Sequence, residues 1–252
     1  MADENVRAAQ TRLREDGFYF ATPDGVYDSR TAAAVTRYQI RHGLQINGKL
    51  DASIAKALGL GSAASTVSEP PAPVAGTWRQ LRNGEQQFIP ATQKSDPVAK
   101  KSPSAKEGTG RAPAADSGRV AVERKSNDFG LERVRDYVGA FVLAGLDPKV
   151  GSELEFFADR VDYFGENQVS RERIRRDLRH YDSRWPERRF WLAGKVDIRA
   201  LPKQRLRVTF PLRYELRSPS EKASGTVRKT LHLEKTGGND LVIIAVNEKK
   251  IR

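Results

Sequence analysis

The most regular pattern of apolar and polar positions lies in the last quarter of the chain. Between residues 203 and 217, apolar side chains alternate with charged or small polar ones, as in a strand with one buried and one exposed face. Similar strand-like runs, separated by turn residues, occupy 188–200, 224–236 and 240–250. Consecutive strands joined by short turns predict an antiparallel meander.

Helical spacing of apolar residues comes just before these strands. The segment "DFGLERVRDYVGAFVLAG" carries one apolar stripe, and "DPKVGSELEFF" predicts a second, short helix after a turn. A short strand, "RVDYFG", follows, and Ser170 is placed to cap the helix of "RERIRRDLRHYDSRW". Helices followed by a meander predict an α+β fold, in which helices pack on one side of a curved antiparallel sheet.

The beginning of the chain shows a different, purely helical pattern. "ENVRAAQTRLREDG" has apolar residues at helical spacing and ends at Gly17. "RTAAAVTRYQIRHG" follows a Pro-Asp-Gly turn, is capped by Asp28 or Ser29, and ends at Gly43. Asp51 then opens a third, short helix in "DASIAKALGL". The pattern predicts a small all-α unit of three helices, near the lower size limit for an independent core.

The stretch between these two parts is rich in Ala, Ser, Pro, Gly and Lys. Such a composition buries too little apolar surface to offset the entropy of ordering, which predicts a flexible linker. One island, 77–90, interrupts it, because Asn83-Gly84 between two short runs indicates a β-hairpin, free or docked on one of the domains. The predicted domains are a three-helix bundle at 1–60, a linker at 61–127 and the α+β domain at 128–252.

Composition and charge limit the kinds of partner that the protein is expected to bind. The 252 residues include 44 Lys and Arg against 32 Asp and Glu, a net charge of +12, which favours anionic partners. There is no cysteine, which excludes disulfides, thiol catalysis and cysteine-type zinc sites. No apolar run approaches the ~20 residues of a membrane helix. The first residues lack the layout of a signal peptide, so we expect that any export signal precedes Met1 in the natural gene.

A motif at fixed spacing in the helical part points to a family. It is formed by Gly17, Phe18, Tyr19, Asp24, Gly25, Thr31, Ala34, Val35, Tyr38, Gln39, Gly43, Leu44 and Gly48. This series resembles the three-helix peptidoglycan-binding domain that occurs at the ends of bacterial cell-wall hydrolases. The resemblance covers less than a quarter of the chain and implies a three-helix fold and binding to the cell wall.

Most motif residues have structural roles in turns and core, so binding is expected from the exposed positions around them. Aromatic rings stack on sugar faces, and arginines pair with the carboxylates of stem peptides. The alternative is that these arginines form a solvated helix face and the aromatics belong to the core. The candidate peptidoglycan-binding residues are Tyr19, Asp24, Tyr27, Arg30, Arg37 and Arg41.

The second half resembles the nuclear transport factor 2-like cone, a fold shared by isomerases, hydrolases and inert binding modules. The order helix, helix, strand, helix and long strands carries this resemblance. An enzyme of this shape needs an acid or a histidine aimed into its cavity, and the catalytic candidates are Asp159, Asp162 and Tyr163. The residues expected to line the cavity are Tyr137, Phe141, Tyr163, Tyr181 and Trp185.

Other chemistries find little support in the sequence. The three histidines, His42, His180 and His232, are not at ligand spacing, so neither a metal nor another cofactor is predicted. Arginines on the exposed face of the predicted strands indicate an anionic polymer, an acidic protein or a solvated surface. Nucleic acid is disfavoured, because no aromatic residues are interleaved and no recognition motif is present.

These observations favour a non-enzymatic, extracytoplasmic bacterial protein that binds peptidoglycan and tethers a ligand- or partner-binding cone through its linker. The alternative is a wall-anchored hydrolase or isomerase with its active site in the cone cavity, and a third hypothesis is a cytosolic scaffold. Peptidoglycan is the expected partner, and a homodimer through the cone sheet is a further expectation.

Overall fold

The computed structural model describes residues 3–60, 77–84, 130–147, 151–237 and 240–251. The predicted linker outside 77–84 lies beyond the described residues. The architecture consists of three N-terminal helices, one helix at 77–83, and a C-terminal arrangement of helices on a seven-stranded sheet.

The N-terminal bundle contains α1 (Glu4–Glu15), α2 (Ser29–His42) and α3 (Ala52–Ala57). Each helix begins at an aspartate whose side chain accepts hydrogen bonds from backbone N–H groups of the first turn: Asp3, Asp28 and Asp51. Gly43 ends α2 with φ of 63°, a left-handed conformation that glycine adopts without strain. The three predicted helices are therefore present, with the predicted cap of the third.

The C-terminal part, called the cone domain below, is built from residues 130–251. Helical residues are found in α5 (Leu131–Ala144), a short 3-10 helix (Ser152–Phe156) and α6 (Arg171–Arg184). The strands are β1 (Phe157–Tyr163), β2 (Glu166–Ser170), β3 (Glu187–Leu192), β4 (Asp197–Leu201), β5 (Arg205–Arg217), β6 (Lys222–Lys235) and β7 (Leu241–Ile251).

The strands lie in the order β2-β1-β7-β6-β5-β3, with β4 also paired to β5. All pairs are antiparallel except β1 with β7, which is parallel. The sheet is therefore mixed, whereas the sequence predicted a wholly antiparallel one. Alternation of apolar and polar residues has the same period in both kinds of sheet, which is why the sequence did not distinguish them. The run 188–200 forms two strands, β3 and β4, that pair with successive parts of β5.

The predicted faces of β5 are those of the structure. Leu206, Val208, Phe210 and Leu212 are buried against the helices, and the alternating positions lie on the opposite side of the sheet. This inner side forms the core of the cone together with α5, the 3-10 helix and α6.

The island predicted as a hairpin contains a helix instead, α4 (Thr77–Asn83). Trp78 is only 2% exposed, and its indole N–H donates a hydrogen bond of 2.9 Å to Asp147 beyond the end of α5. Gly84 has φ of 66°. An Asn-Gly pair suits the left-handed end of a helix as well as a hairpin turn, which explains the wrong prediction. The rest of the island, 85–90, is outside the described residues.

The bundle packs directly on the cone domain. Gly139 of α5 leaves room for Ile40 of α2, since a Cβ at Gly139 would stand 2.2 Å from the Ile40 Cδ1 atom. Beside this contact, Arg37 pairs with Asp136 at 2.9 Å. Such packing differs from the expectation of a cone swinging freely on a linker.

The loop after α2 also joins the sheet. The backbone N–H of Ile46 donates to the carbonyl oxygen of Phe190 at 2.9 Å, and Gln45 forms a bridge with Trp191 of β3. Ile46 is fully buried, and it belongs to the same hydrophobic core as Trp78 and the inner face of the sheet. One side of the bundle, α4 and the cone therefore share this core, and the bundle has a second core of its own.

Candidate functional sites

Two buried glutamines organise the loops of the bundle. The side-chain oxygen of Gln10 accepts from the backbone N–H groups of Asp24 and Gly25 at 2.9 and 2.8 Å. Its amide nitrogen donates to Thr31 Oγ1 at 3.0 Å and to the Val26 carbonyl at 3.0 Å. The turn at 24–26 is thus held against α1 and α2, which fixes the shape of its exposed side.

Gln39 does the same for the following loop. Its side-chain oxygen accepts from the N–H groups of Asn47 and Gly48 at 3.1 and 3.0 Å, and its nitrogen donates to Asn47 Oδ1 at 2.6 Å. The conclusion from sequence that Gln39 and Thr31 tie loops to helices agrees with this geometry.

Of the two tyrosines proposed to stack on sugars, one is an interior residue and the other is half-buried. Tyr19 is 1% exposed and lies in the bundle core. The Tyr27 hydroxyl donates to the Gly48 carbonyl at 2.6 Å, and burial raises the pKa of this hydroxyl well above its usual value. The Tyr19 ring is therefore inaccessible in this conformation, whereas the Tyr27 ring is partly exposed.

The four charged candidates separate into two groups. Arg37 and Arg41 face α5, where they pair with Asp136 at 2.9 Å and Glu132 at 3.0 Å. Asp24 and Arg30 remain at the surface, where their charged atoms lie 3.8 Å apart.

Among the described residues, the turn at 24–30 is therefore an accessible part of the predicted site whose charged candidates do not pair with α5, whereas the exposed Arg41 is paired with Glu132. Its backbone is held by Gln10, and hydrogen bonds from Val26 N–H and Gln10 lower the pKa of Asp24. Val26, 51% exposed, adds an apolar contact that sequence reasoning missed. We call Asp24, Val26 and Arg30 the turn surface.

The cone domain contains a cavity of about 510 Å³ between α5, α6 and the inner face of the sheet. Phe141, Tyr163 and Tyr181 line it as predicted. The other two predicted residues do not. Tyr137 is buried in the core and donates to the Leu241 carbonyl at 2.9 Å, and Trp185 packs away from the cavity at the end of α6.

Glu153 is a buried acidic group of this cavity that sequence reasoning missed. It belongs to the 3-10 helix, and only 7% of its surface is exposed. Burial raises the pKa of the Glu153 carboxyl, although its own backbone N–H and the charges of Arg188 and Lys229 oppose the shift. A glutamate in "GSELEFF" gives no sequence signal of burial, because its position depends on how the 3-10 helix meets the sheet.

The tyrosines beside Glu153 are also perturbed. Burial, with a smaller contribution from the Glu153 charge, raises the pKa of Tyr163 to about 12. Burial likewise raises the pKa of Tyr181 to about 12. Both hydroxyls therefore remain protonated at physiological pH and are hydrogen-bond donors.

Of the three catalytic candidates on β1, Tyr163 lines the cavity, whereas the two aspartates lie outside it. The side chain of Asp159 is 95% exposed, and it faces Arg171 at 3.7 Å. Asp162 is exposed as well and accepts from the Gln168 N–H at 3.1 Å. Consecutive strand residues point to opposite faces, so Asp162 and Tyr163 cannot both face the cavity. The structure does not bring the three candidates together.

We expect Glu153→Gln to stabilise the protein by roughly 1 kcal/mol at pH 7.5, because it removes a charge that is costly to bury. A raised folded-state pKa means that protonation favours folding, and this contribution is lost as pH rises through that pKa. The stabilisation by Glu153→Gln should therefore decrease toward pH 4, where Glu153 becomes protonated in the parent protein. Urea unfolding at both pH values measures it, with the exposed Glu155→Gln as control. A variant less stable than the parent at pH 7.5 would contradict the assignment.

The outer face of the sheet is basic, as predicted. Arg207 lies opposite His232, and Arg228 lies opposite Lys249, on neighbouring strands. Burial, followed by the charge of Arg207, lowers the pKa of His232, which favours its neutral form. Elsewhere on this face, arginines pair with glutamates, in Arg205–Glu234 and Arg213–Glu215.

Within the described ranges, no group of three or more His, Asp or Glu side chains is arranged to hold a metal ion. No helix in the same ranges is both long and apolar enough to cross a membrane.

Together, the fold and these sites define a two-part protein, a three-helix binding module packed on an α+β cone. Residues 2–58 match the family described as "Putative peptidoglycan binding domain", which confirms the N-terminal resemblance. No curated protein matches the chain.

Solved structures similar to the C-terminal part share 11–16% identity with it. One is a "Putative calcium/calmodulin dependent protein kinase II association domain" from Xanthomonas campestris (16% identity, 49% of this chain and 89% of that chain, TM-score 0.42). Another is a nuclear transport factor 2-like superfamily protein from Salmonella enterica (11%, 44% and 78%, TM-score 0.35). A third is a protein with a cystatin-like fold from Caulobacter vibrioides (12%, 46% and 89%, TM-score 0.37).

Proposed function

We propose that this protein binds peptidoglycan non-covalently through its N-terminal bundle and holds the cone domain at a fixed position beside the cell wall. The match of residues 2–58 to the peptidoglycan-binding family carries this proposal. The hydrogen-bonded loops around Gln10 and Gln39 support it, because they keep the exposed turns of the motif in a defined shape. The proposal places the protein in the bacterial cell envelope.

Within the bundle, the turn surface is the proposed point of contact. The Arg30 guanidinium pairs with Asp28 at 2.6 Å and lies 3.8 Å from Asp24. Exposed ion pairs of this kind contribute little to stability, so a stem-peptide carboxylate can replace an internal partner at small cost. Val26 offers an exposed apolar side chain in the same turn.

We expect Arg30→Gln to weaken binding to purified, insoluble peptidoglycan about tenfold, since a hydrogen bond between charged groups contributes roughly 1.5 kcal/mol. The measurement is a sedimentation assay with the intact chain at low and near-physiological salt. Arg12→Gln is the matched control, because Arg12 is exposed on α1 and pairs only with Glu15 among the described residues.

If both variants lose the same amount of peptidoglycan binding, and salt abolishes the remaining binding, then net charge alone causes binding. That result would contradict the assigned surface. Parent protein that stays in solution at both salt concentrations would contradict peptidoglycan binding itself.

We include in this proposal a contribution of the basic outer face of the sheet to attraction by the cell wall. None of Arg207, Arg228 and Lys249 has an ion-pair partner among the described residues, so this face attracts anionic wall polymers at long range. A homodimer through the same face would bring these cations of two copies together. For that reason we favour an anionic polymer over self-association.

A second candidate function is an enzyme with its active site in the cone cavity. The observation that favours it is Glu153, a buried acid with a raised pKa beside two tyrosines. Asp159 and Asp162 take no part in this version, because both lie outside the cavity. The non-enzymatic hypothesis remains our proposal, since binding requires only the wall contact and the cavity as observed.

A further inference from the structure

The charges lining the cone cavity are unevenly compensated. Four charged residues line it, and three of them are in ion pairs: Lys229 with Glu248 at 3.0 Å, and Asp177 with Arg173. Glu153 is the remaining one, and no ion pair reaches it within the described part of the chain. The nearby Arg188 is paired with Asp182. The cavity therefore carries one uncompensated negative charge when Glu153 is ionised.

This charge is in a place that disfavours it. Glu153 is 7% exposed, so little water solvates its carboxylate. An isolated buried carboxylate is strongly destabilising unless a positive charge or several hydrogen-bond donors surround it. A positively charged group that entered the cavity would supply the missing partner.

The walls of the cavity suit an organic cation. Seven aromatic residues contribute to the lining, among them Phe141, Phe157, Tyr163, Tyr181 and Phe190. Aromatic rings attract cations through their electron-rich faces and also contact apolar groups. A volume of about 510 Å³ is within the range of small-molecule sites. The combination of one carboxylate with aromatic walls favours a ligand that has a cationic group and an apolar part.

The exposed lining residues mark the opening. Phe164, in the turn between β1 and β2, is 44% exposed, and Lys229 lies 5.7 Å from the centre of its ring. The Lys229–Glu248 pair stands next to it at the rim. Glu153 lies further inside, so a ligand would enter past Phe164 and place its charged end deepest.

We propose that the cone cavity is a binding site for a small organic ammonium ion, whose nitrogen pairs with the Glu153 carboxylate while its apolar part contacts the aromatic walls. This site is separate from the turn surface of the bundle and does not depend on peptidoglycan binding.

Isothermal titration calorimetry of the intact chain tests this proposal with three probes of similar size. The probes are 3-phenylpropylamine, the neutral 3-phenylpropanol and the anionic 3-phenylpropionate, at one pH and salt concentration. We expect the amine to bind at least tenfold more tightly than the alcohol and the carboxylate to bind most weakly. Glu153→Gln should remove this preference and leave amine and alcohol equal.

Glu155→Gln is the matched control, because Glu155 belongs to the same 3-10 helix but pairs with Arg79 of α4 at the surface. It should keep the preference of the parent protein. The proposal fails if amine and alcohol bind equally to the parent, if the carboxylate binds best, if Glu153→Gln keeps the preference, or if no probe binds. Peptidoglycan sedimentation of Glu153→Gln should be unchanged, which separates failure of this site from failure of wall binding.

Discussion

Replacing Trp78 with alanine is expected to lower the free energy of unfolding by about 4 kcal/mol, the range typical of a large aromatic residue removed from a core. Trp78 is 2% exposed, its ring packs 5.4 Å from that of Phe156, and its N–H donates to Asp147. The substitution leaves a cavity between α4 and the cone and removes the hydrogen bond to Asp147. Urea denaturation followed by circular dichroism measures the loss.

Trp191→Ala is the control for this experiment. Trp191 is half-buried on the outer side of β3, where the Arg213 guanidinium lies 4.7 Å from its ring centre, and its removal should cost about 1 kcal/mol. Losses of equal size for the two tryptophans would show that α4 is not part of the core. A loss near 4 kcal/mol for Trp78 alone would establish that a segment within the predicted linker is a structural element.

Arg37→Leu is expected to destabilise the protein by about 3 kcal/mol, because it leaves the Asp136 carboxylate buried without its partner. Arg37 is buried and Asp136 nearly so, and burial already raises the pKa of Asp136 despite the arginine. The free energy of unfolding in urea at pH 7 gives the loss directly.

Two further variants show whether the loss comes from the pair. Arg41→Leu removes a more exposed ion pair on the same helix, with Glu132, and should cost less than about 1 kcal/mol. The double variant Arg37→Leu, Asp136→Leu should recover part of the stability, because the carboxylate and its guanidinium partner are removed together. If the loss in free energy of unfolding of the double variant equals the sum of the two single losses, the two side chains do not act as a pair.

These two experiments address the same question, which is whether the bundle and the cone domain form one rigid body. The Ile40–Gly139 contact and the Ile46–Phe190 hydrogen bond cross the boundary between bundle and cone. Trp78 joins α4 to Phe156 of the 3-10 helix. If the contacts are as strong as their burial indicates, the proposed binding of the turn surface to peptidoglycan would fix the cavity at a constant distance from the wall.

The order of elements could be predicted from local patterns. The capping aspartates, Gly43 and the alternation along β5 act within a few residues, so the sequence contains the information directly. The motif spacing identified the peptidoglycan-binding family for the same reason, because its glycines and glutamines fulfil local roles in turns.

The candidate sites were less predictable, since they depend on contacts between distant parts of the chain. Arg37 and Arg41 have the spacing of an exposed, ligand-binding helix face, yet α5, almost a hundred residues later, buries Arg37 and pairs with Arg41 through Glu132. The Asn83-Gly84 pair was assigned to the wrong element, because the same dipeptide suits two kinds of local structure.

By itself, the sequence determined the three helices of the bundle, the binding family of residues 2–58 and the strand pattern of the cone. Only the tertiary structure decided which acid faces the cavity, which arginines stay exposed and how the two parts pack together. The physical reason is that helix caps, turns and alternation are set by near neighbours in the chain. Burial of Glu153 or Arg37 is set by elements that meet only after folding.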